Sequence, residues 1–97
     1  MTGGPEKLEV VHDPARSRYE LHLDDEVIGA ADYVVRGDVA LMVHTEVRRE
    51  HRGKGYAETL VRGALDDLHR AGLAIEPRCA YVADFVDSHP EYADLVR

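Results

Sequence analysis

A chain of 97 residues has room for one domain of ordinary size, because a second hydrophobic core would need more residues than remain. It has no apolar run of the ~18 residues that a membrane-spanning helix needs, and its single cysteine excludes an internal disulfide, as expected in the reducing cytoplasm. The net charge of −7 argues against nucleic-acid binding, which depends on Lys and Arg, and favours a cationic small molecule or a basic peptide as partner.

The first half of the chain predicts antiparallel strands. Residues 1–6 lack the apolar stretch of a signal peptide, and we expect a disordered lead-in there, followed by one domain over residues 7–97. Turn-forming pairs such as Asp13-Pro14 and Gly37-Asp38 separate four strand-like segments, at residues 8–12, 18–23, 26–35 and 39–47. Short turns between neighbouring strands give an antiparallel meander.

The second half changes to the period of a helix. One apolar face is formed by Ala57, Leu60, Val61, Ala64, Leu65 and Leu68, and Gly72 ends the helix. A short strand at 73–76, a short helix at 80–87 and a last amphipathic turn after Pro90 follow. The order predicts an α/β fold of the α+β type. We expect a mixed, mostly antiparallel sheet of about five strands, with a long helix packed on it and a short C-terminal helix.

The loop between the fourth strand and the long helix is the most basic segment of this acidic chain. Within seven residues it contains Arg48, Arg49, Arg52 and Lys54. Gly53 and Gly55 let a bulky anion approach the backbone N–H groups, and the start of the helix directs unpaired amides to the same place. The segment therefore suits a pyrophosphate. Neither the P-loop pattern nor the dinucleotide pattern GxGxxG fits, because Gly55 and Glu58 stand at positions that those patterns reserve for other residues.

The pattern that fits is [Arg/Gln]-x-x-Gly-x-[Gly/Ala], present as Arg52-Gly53-Lys54-Gly55-Tyr56-Ala57 between a strand and an amphipathic helix. On this motif the sequence resembles the GNAT superfamily of N-acetyltransferases, in which the segment cradles the pyrophosphate of coenzyme A. His44-Thr45, residues 77–82 and residues 89–92 resemble a small, truncated GNAT-like branch. The resemblance implies an acetyl-CoA-dependent transfer to an amine acceptor. It also implies that the coenzyme is held by Val47, Arg48, Arg49, Arg52, Gly53, Lys54, Gly55, Tyr56 and Ala57.

Two side chains are candidates for the chemistry. His44 could take the proton of an attacking ammonium, since imidazole titrates near neutral pH, or it could only hydrogen-bond at a strand edge. Cys79 follows the last strand, where the two parallel strands of a GNAT-like sheet splay around the thioester. Its thiolate could accept the acetyl group, act as an acid or shape the pocket, or it could be an ordinary buried cysteine. Glu46 is a rival base, and Tyr81 could protonate the leaving thiolate or only pack in the core.

Strict alternation along the fourth strand predicts two different faces. The aliphatic face, expected to pack against the helix, carries Leu41, Val43 and Val47. The other face, expected to line the coenzyme cleft, carries Met42, His44 and Glu46.

The resemblance leaves two functions open. Other superfamily members continue with elements that complete the acceptor groove, so we expect an acceptor site here that is open, borrowed from a partner or absent. The alternative to an enzyme is therefore a non-catalytic acyl-CoA-binding or interaction module. The histidines show no metal-ligand spacing, and we expect no metal site.

Overall fold

The computed structural model describes residues 7–97, and the lead-in expected at 1–6 lies outside the described residues. Five strands form a sheet whose spatial order follows the sequence: β1 (Leu8–Asp13), β2 (Arg18–Leu23), β3 (Glu26–Arg36), β4 (Val39–Val47) and β5 (Ala74–Pro77). The first four strands pair antiparallel, and β5 pairs parallel with β4. The mixed, mostly antiparallel five-stranded sheet is confirmed.

Two α-helices cover one face of this sheet. They are α1 (Tyr56–Arg70), which connects β4 to β5, and α2 (Ala80–Ser88), which is followed by a 3-10 segment at Pro90–Leu95. Further 3-10 turns lie at Pro14–Arg16 and Arg49–His51. Gly72 follows α1 with a φ of 83°, a left-handed conformation that favours glycine and turns the chain back toward the sheet. Both helices predicted from the sequence are confirmed.

The core lies between the sheet and α1. The apolar face of α1 buries Leu60, Val61, Ala64, Leu65 and Leu68. These side chains pack in one cluster with the inward residues of the strands and with Val82 and Phe85 of α2. The period of 3.6 residues in the sequence therefore marks the helix face that is removed from water, and this burial is the main source of stability.

An irregularity in β4 changes which side chains face the helices. Tyr33 lies opposite Met42 and Asp32 lies opposite His44, so Val43 is an extra residue on β4. This β-bulge interrupts the two-residue alternation. Met42 is 1% exposed in the core beneath the helices, whereas Val43 is 42% exposed.

The prediction of the two faces of β4 is therefore wrong at Met42, Leu41 and Val43. Met42 packs toward the helices rather than toward the cleft, and its neighbour Leu41 points to the other side of the sheet. Strict alternation fails here because the extra residue at Val43 resets it.

β5 pairs with only the first part of β4. Pairing with β5 stops at Met42, whose carbonyl accepts hydrogen bonds from the backbone N–H groups of Arg78 (2.9 Å) and Cys79 (2.8 Å). The chain then turns away into α2, while β4 continues to Val47. Among residues 7–97, this edge of β4 has no strand partner beyond Met42. The divergence creates a notch between the end of β4 and the start of α2.

Candidate functional site

The notch continues into a cleft that ends at the basic loop. Its part beside β4, of about 400 Å³, is lined by His44, Thr45, Glu46, Val47, Arg52, Ala57 and Tyr81. Its part beside the loop, of about 230 Å³, is lined by Val47, His51, Arg52, Gly53, Gly55, Tyr56, Ala57 and Tyr81. The two parts share Val47, Arg52, Ala57 and Tyr81, so they form one continuous cleft. Most of the residues predicted to hold a coenzyme are thus brought together.

The loop presents backbone donors to this cleft. Gly53 and Gly55 have φ values of 80° and 77°, in the left-handed region that side chains other than glycine rarely adopt. Gly55 is the N-cap of α1, and no side chain caps the helix there. The N–H of Thr59 bonds to the carbonyl of Gly55 at 3.3 Å, so the amides of residues 56–58 have no acceptor within the helix. Together with the helix dipole, these amides favour an anion.

The four basic side chains of the loop differ in their surroundings. Arg48 forms an ion pair with Glu26 on the neighbouring strand. Arg52 donates from Nε to the carbonyl of Val47 at 2.9 Å, which fastens the loop to the end of β4. Arg49 and Lys54 are exposed and form no ion pair within residues 7–97. The loop therefore combines a fixed arginine with two basic side chains that are available to a ligand.

His51 is a feature of the cleft to which the sequence assigned no role. The residue lines the part of the cleft beside the loop. Its Nδ1 is buried and has no hydrogen-bond partner within residues 7–97. A buried polar atom without a partner typically costs about 1–3 kcal/mol. In the sequence, His51 lies within the predicted anion-binding loop, and this position could have marked it as a candidate site residue. Its burial depends on the fold and cannot be predicted from the sequence.

His44 pairs with Glu46 at the mouth of the cleft. The Nε2 of His44 lies 2.8 Å from Oε1 of Glu46, and the two side chains are 57% and 66% exposed. The hydrogen bond from His44 and the charge of that ring hold the pKa of Glu46 below its usual range. Glu46 is thus an ionised carboxylate in contact with the candidate base.

Cys79 lies at the N-cap of α2, across the notch from β4. Its thiol contacts Oγ1 of Thr45 at 3.7 Å. Partial burial raises the pKa of Cys79, but the backbone N–H of Val82, the Thr45 hydroxyl and the backbone N–H of Tyr81 lower it. The sulfur does not form a full capping hydrogen bond, yet these dipoles outweigh the burial. The net pKa is below that of an ordinary thiol.

The two candidate catalytic residues are not in contact. Thr45 lies opposite Ala31, a core residue, whereas His44 lies opposite Asp32, so consecutive side chains of β4 reach opposite faces of the sheet. Thr45 contacts Cys79 on the helix side, and His44 bonds to Glu46 on the other side. No hydrogen bond joins His44 to Cys79 among the described residues. His44 and Cys79 could therefore act together only through a substrate that reaches both faces of the sheet.

Tyr81 completes the wall of the cleft. It stands in the first turn of α2, lines both parts of the cleft and is 38% exposed. Burial raises the pKa of Tyr81, and the nearby charge of Glu58 raises it further. The phenol is therefore protonated at neutral pH and able to donate.

Residues 7–97 contain neither a cluster of metal-ligating side chains nor a membrane-spanning helix. No three or more His, Cys, Asp or Glu side chains of residues 7–97 are grouped as a metal site requires. No helix in the same range is long and apolar enough to cross a membrane.

Comparison with known proteins identifies the family. A family model described as GCN5-related N-acetyl-transferase matches residues 18–95. Protein NATD1 of Bos taurus is 33% identical over 94 residues, which cover 91% of this chain and 82% of that protein.

Solved structures show the same fold at lower identity. A GCN5-like protein from Staphylococcus aureus has a TM-score of 0.71 and 17% identity, over 93% of this chain and 88% of that chain. The PaiA N-acetyltransferase of Thermoplasma acidophilum, solved in complex with coenzyme A, has a TM-score of 0.56 and 14% identity, over 76% of this chain and 48% of that chain. The family-model match over residues 18–95 and the 33% identity to NATD1 establish that the chain belongs to the GCN5-related N-acetyltransferase family.

Proposed function

We propose that the chain binds acetyl-CoA in the cleft and transfers its acetyl group to an amine. The observation that carries this proposal is the uncapped start of α1, with Gly53 and Gly55 in left-handed conformations, at the end of a cleft whose other end holds His44 and Glu46. The family supports an N-acetyltransferase, and a protein of the same fold, from Thermoplasma acidophilum, is bound to coenzyme A. The acceptor amine is a small molecule or a basic peptide, in keeping with the net charge of −7.

The residues of the loop fit a pyrophosphate. The free amides of residues 56–58 and the exposed Lys54 and Arg49 are donors or positive charges of the loop at one end of the cleft. Arg52 would keep the loop against β4 through Val47 while its remaining N–H groups face the ligand site. This donor set is unlike one for a metal, which would need carboxylates or free imidazoles together.

The proposed transfer forms a C–N bond and breaks the C–S bond of the thioester. The acceptor must first lose a proton, and His44 or Glu46 is the base within the cleft. The leaving thiolate takes a proton from Tyr81, whose phenol is neutral, or from Cys79. We expect direct attack by the amine. The low pKa of Cys79 also permits an acetyl-cysteine intermediate, in which the thiolate attacks first and the amine second.

Calorimetry with two glycine variants tests the binding site. Gly55→Glu places a side chain and a negative charge at the start of α1, so we expect loss of acetyl-CoA binding. Gly37→Glu is the matched control, because Gly37 also has a positive φ (62°) and open space around it but lies in the β3–β4 turn, outside the cleft. Unchanged affinity in a folded Gly55→Glu protein, or equal loss in both variants, would contradict the assignment.

Mass spectrometry with acetyl-CoA and a panel of amines tests the transfer. If His44 is the base, His44→Ala should lose about 10²–10⁴-fold in turnover. If the amine attacks directly, Cys79→Ala should keep much of its activity and no acetyl thioester should accumulate on the wild type. If Cys79 is the nucleophile, incubation without acceptor should label Cys79.

The second candidate is a non-catalytic acyl-CoA-binding module. The separation of His44 and Cys79 onto opposite faces of β4 favours it, because the two groups do not form a preassembled pair. Tight binding of acetyl-CoA without transfer to any amine would establish this alternative.

A further inference from the structure

The pair of His44 and Glu46 has a geometry that assigns separate roles to its members. The Nε2–Oε1 distance is 2.8 Å, which is that of a charge-assisted hydrogen bond. The residues are two apart on a strand, so their side chains leave β4 on the same face. Both line the part of the cleft beside β4, with Arg52 and Tyr81.

The hydrogen bond decides which imidazole nitrogen is free. In a neutral imidazole one nitrogen carries the proton and the other accepts. An ionised carboxylate accepts only, so the proton of the neutral ring must lie on Nε2 when that nitrogen faces Glu46. The lone pair that can take a further proton is then on Nδ1.

We propose that Glu46 is a positioning residue that holds His44 in the Nε2–H tautomer and leaves Nδ1 to deprotonate the acceptor ammonium. This inference rests on the proposed acetyl transfer. When Nδ1 gains the proton, the ring becomes an imidazolium, and the carboxylate of Glu46 at 2.8 Å stabilises it. The proton thus passes from the ammonium to Nδ1, and Glu46 itself stays ionised throughout.

Other charged groups on this face do not compete for His44. Asp32 lies opposite His44 on β3, but Nε of Arg18 holds its carboxylate at 3.0 Å. Arg18 also lies 3.8 Å from Glu20. The charges of Arg18 and Arg52 act on Glu46 in the same direction as His44 does, keeping it ionised. Glu46 is therefore the carboxylate available to the ring.

The chain provides a matched control for this pair. On β2, Nε2 of His22 lies 3.0 Å from Oε1 of Glu20, again two residues apart on a strand. Neither of these residues lines the cleft. Glu20→Gln therefore removes the same kind of carboxylate–histidine contact without touching the proposed site.

Nitrogen NMR of the 15N-histidine-labelled protein tests the tautomer without reference to activity. In the wild type we expect the neutral His44 ring to show a protonated Nε2 and an unprotonated Nδ1. Glu46→Ala should mix the two tautomers, and Glu20→Gln should leave the His44 signals unchanged. A protonated Nδ1 in the neutral wild-type ring, or a tautomer unaffected by Glu46→Ala, would overturn the proposal.

Kinetics separate a positioning carboxylate from a base. Neutralising the buried carboxylate of a Ser-His-Asp triad costs about 10⁴-fold in kcat. We expect about 10-fold for Glu46→Gln, because both side chains here are half exposed and water weakens their interaction. Glu20→Gln should keep the wild-type rate.

A double variant isolates the coupling. If Glu46 acts through His44, adding Glu46→Gln to His44→Ala should cause no further loss. If Glu46→Gln caused an equal loss in the wild type and in His44→Ala, Glu46 would be an independent base. That result would overturn the positioning role of Glu46 but not the proposed acetyl transfer. If wild type transfers acetyl to no amine, the proposed function fails and the catalytic role of the pair fails with it, whatever tautomer NMR reports.

Discussion

Cys79 lies where β5 gives way to α2, and several neighbours act on its thiol. Burial disfavours the thiolate, while the amides of Val82 and Tyr81 and the hydroxyl of Thr45 favour it. The result is a pKa below the ordinary value of a thiol. A cysteine that looks in the sequence like a small apolar residue is thus made more reactive by the helix start that follows it.

Alkylation with iodoacetamide as a function of pH measures this effect. Because folding lowers the pKa of Cys79, its thiolate persists to lower pH, and the midpoint of the rate profile should lie below that of the same protein unfolded in guanidinium. Thr45→Val removes the hydroxyl 3.7 Å from the sulfur and should raise the midpoint toward that of the unfolded protein. Coincident midpoints for folded and unfolded protein would contradict the assignment.

At the scale of elements, the sequence predicted the strands and helices because each has its own period. The strands predicted at 18–23 and 39–47 coincide with β2 and β4, and α1 begins directly after Gly55 as expected. The bulge at Val43 escaped prediction because it depends on how β3 pairs with β4, which alternation within one strand does not reveal.

The same reason limits what the sequence predicts of the site. The glycines and basic residues of the loop identify it by their local pattern. The bond from Arg52 to Val47 and the pairing of His44 with Glu46 depend on side-chain directions that only the folded strand sets. The burial of His51 Nδ1 likewise depends on the surrounding fold.

The packing of α1 on β1 depends on Gly63. A Cβ at this position would lie 2.8 Å from Cγ2 and 3.1 Å from Cβ of Val10. Alanine would gain about 1 kcal/mol of helix propensity, but overpacking costs about 1–3 kcal/mol. The Cβ of Val10 is fixed to the strand backbone and cannot rotate away, so we expect Gly63→Ala to lower the free energy of unfolding by about 1–2 kcal/mol in urea titrations.

Val10→Ala provides the control for this prediction. It removes the two γ-methyl groups that the new Cβ would meet. In that background only the contact with Cβ of Val10 at 3.1 Å remains, so Gly63→Ala should be less destabilising, giving a coupling energy in the double-mutant cycle. Equal effects of Gly63→Ala in both backgrounds would show that helix and strand are not in tight contact here.

At the scale of the whole molecule, hydrogen bonds from tyrosines connect α1 to the sheet and to the C-terminal segment. Tyr19 is 1% exposed, and its hydroxyl donates to Asp67 of α1 at 2.5 Å. Tyr92 of the C-terminal segment donates to Asp66, also on α1, at 2.8 Å. Burial comes first among the causes that raise the pKa of four tyrosines, namely Tyr19, Tyr33, Tyr81 and Tyr92. The folded state therefore favours the neutral form of these four side chains.

This coupling predicts a loss of stability at alkaline pH. The tyrosine pKa is near 10 in the unfolded chain and higher in the folded protein, so above about pH 10 the folded state binds more protons than the unfolded state. The free energy of unfolding should be steady up to about pH 9.5 and fall as pH rises further, by up to ~1.4 kcal/mol per pH unit for Tyr19 alone.

Two tyrosine variants test this prediction. Tyr19→Phe removes the hydrogen bond to Asp67 and should lower the free energy of unfolding by about 0.5–1.5 kcal/mol at neutral pH, but its alkaline decline should be shallower than that of the wild type. Tyr81→Phe, at a ring that is 38% exposed, should flatten the decline less. Urea titrations between pH 8 and 11.5 measure these slopes, and an alkaline limb as steep in Tyr19→Phe as in wild type would show that Tyr19 does not couple folding to proton binding.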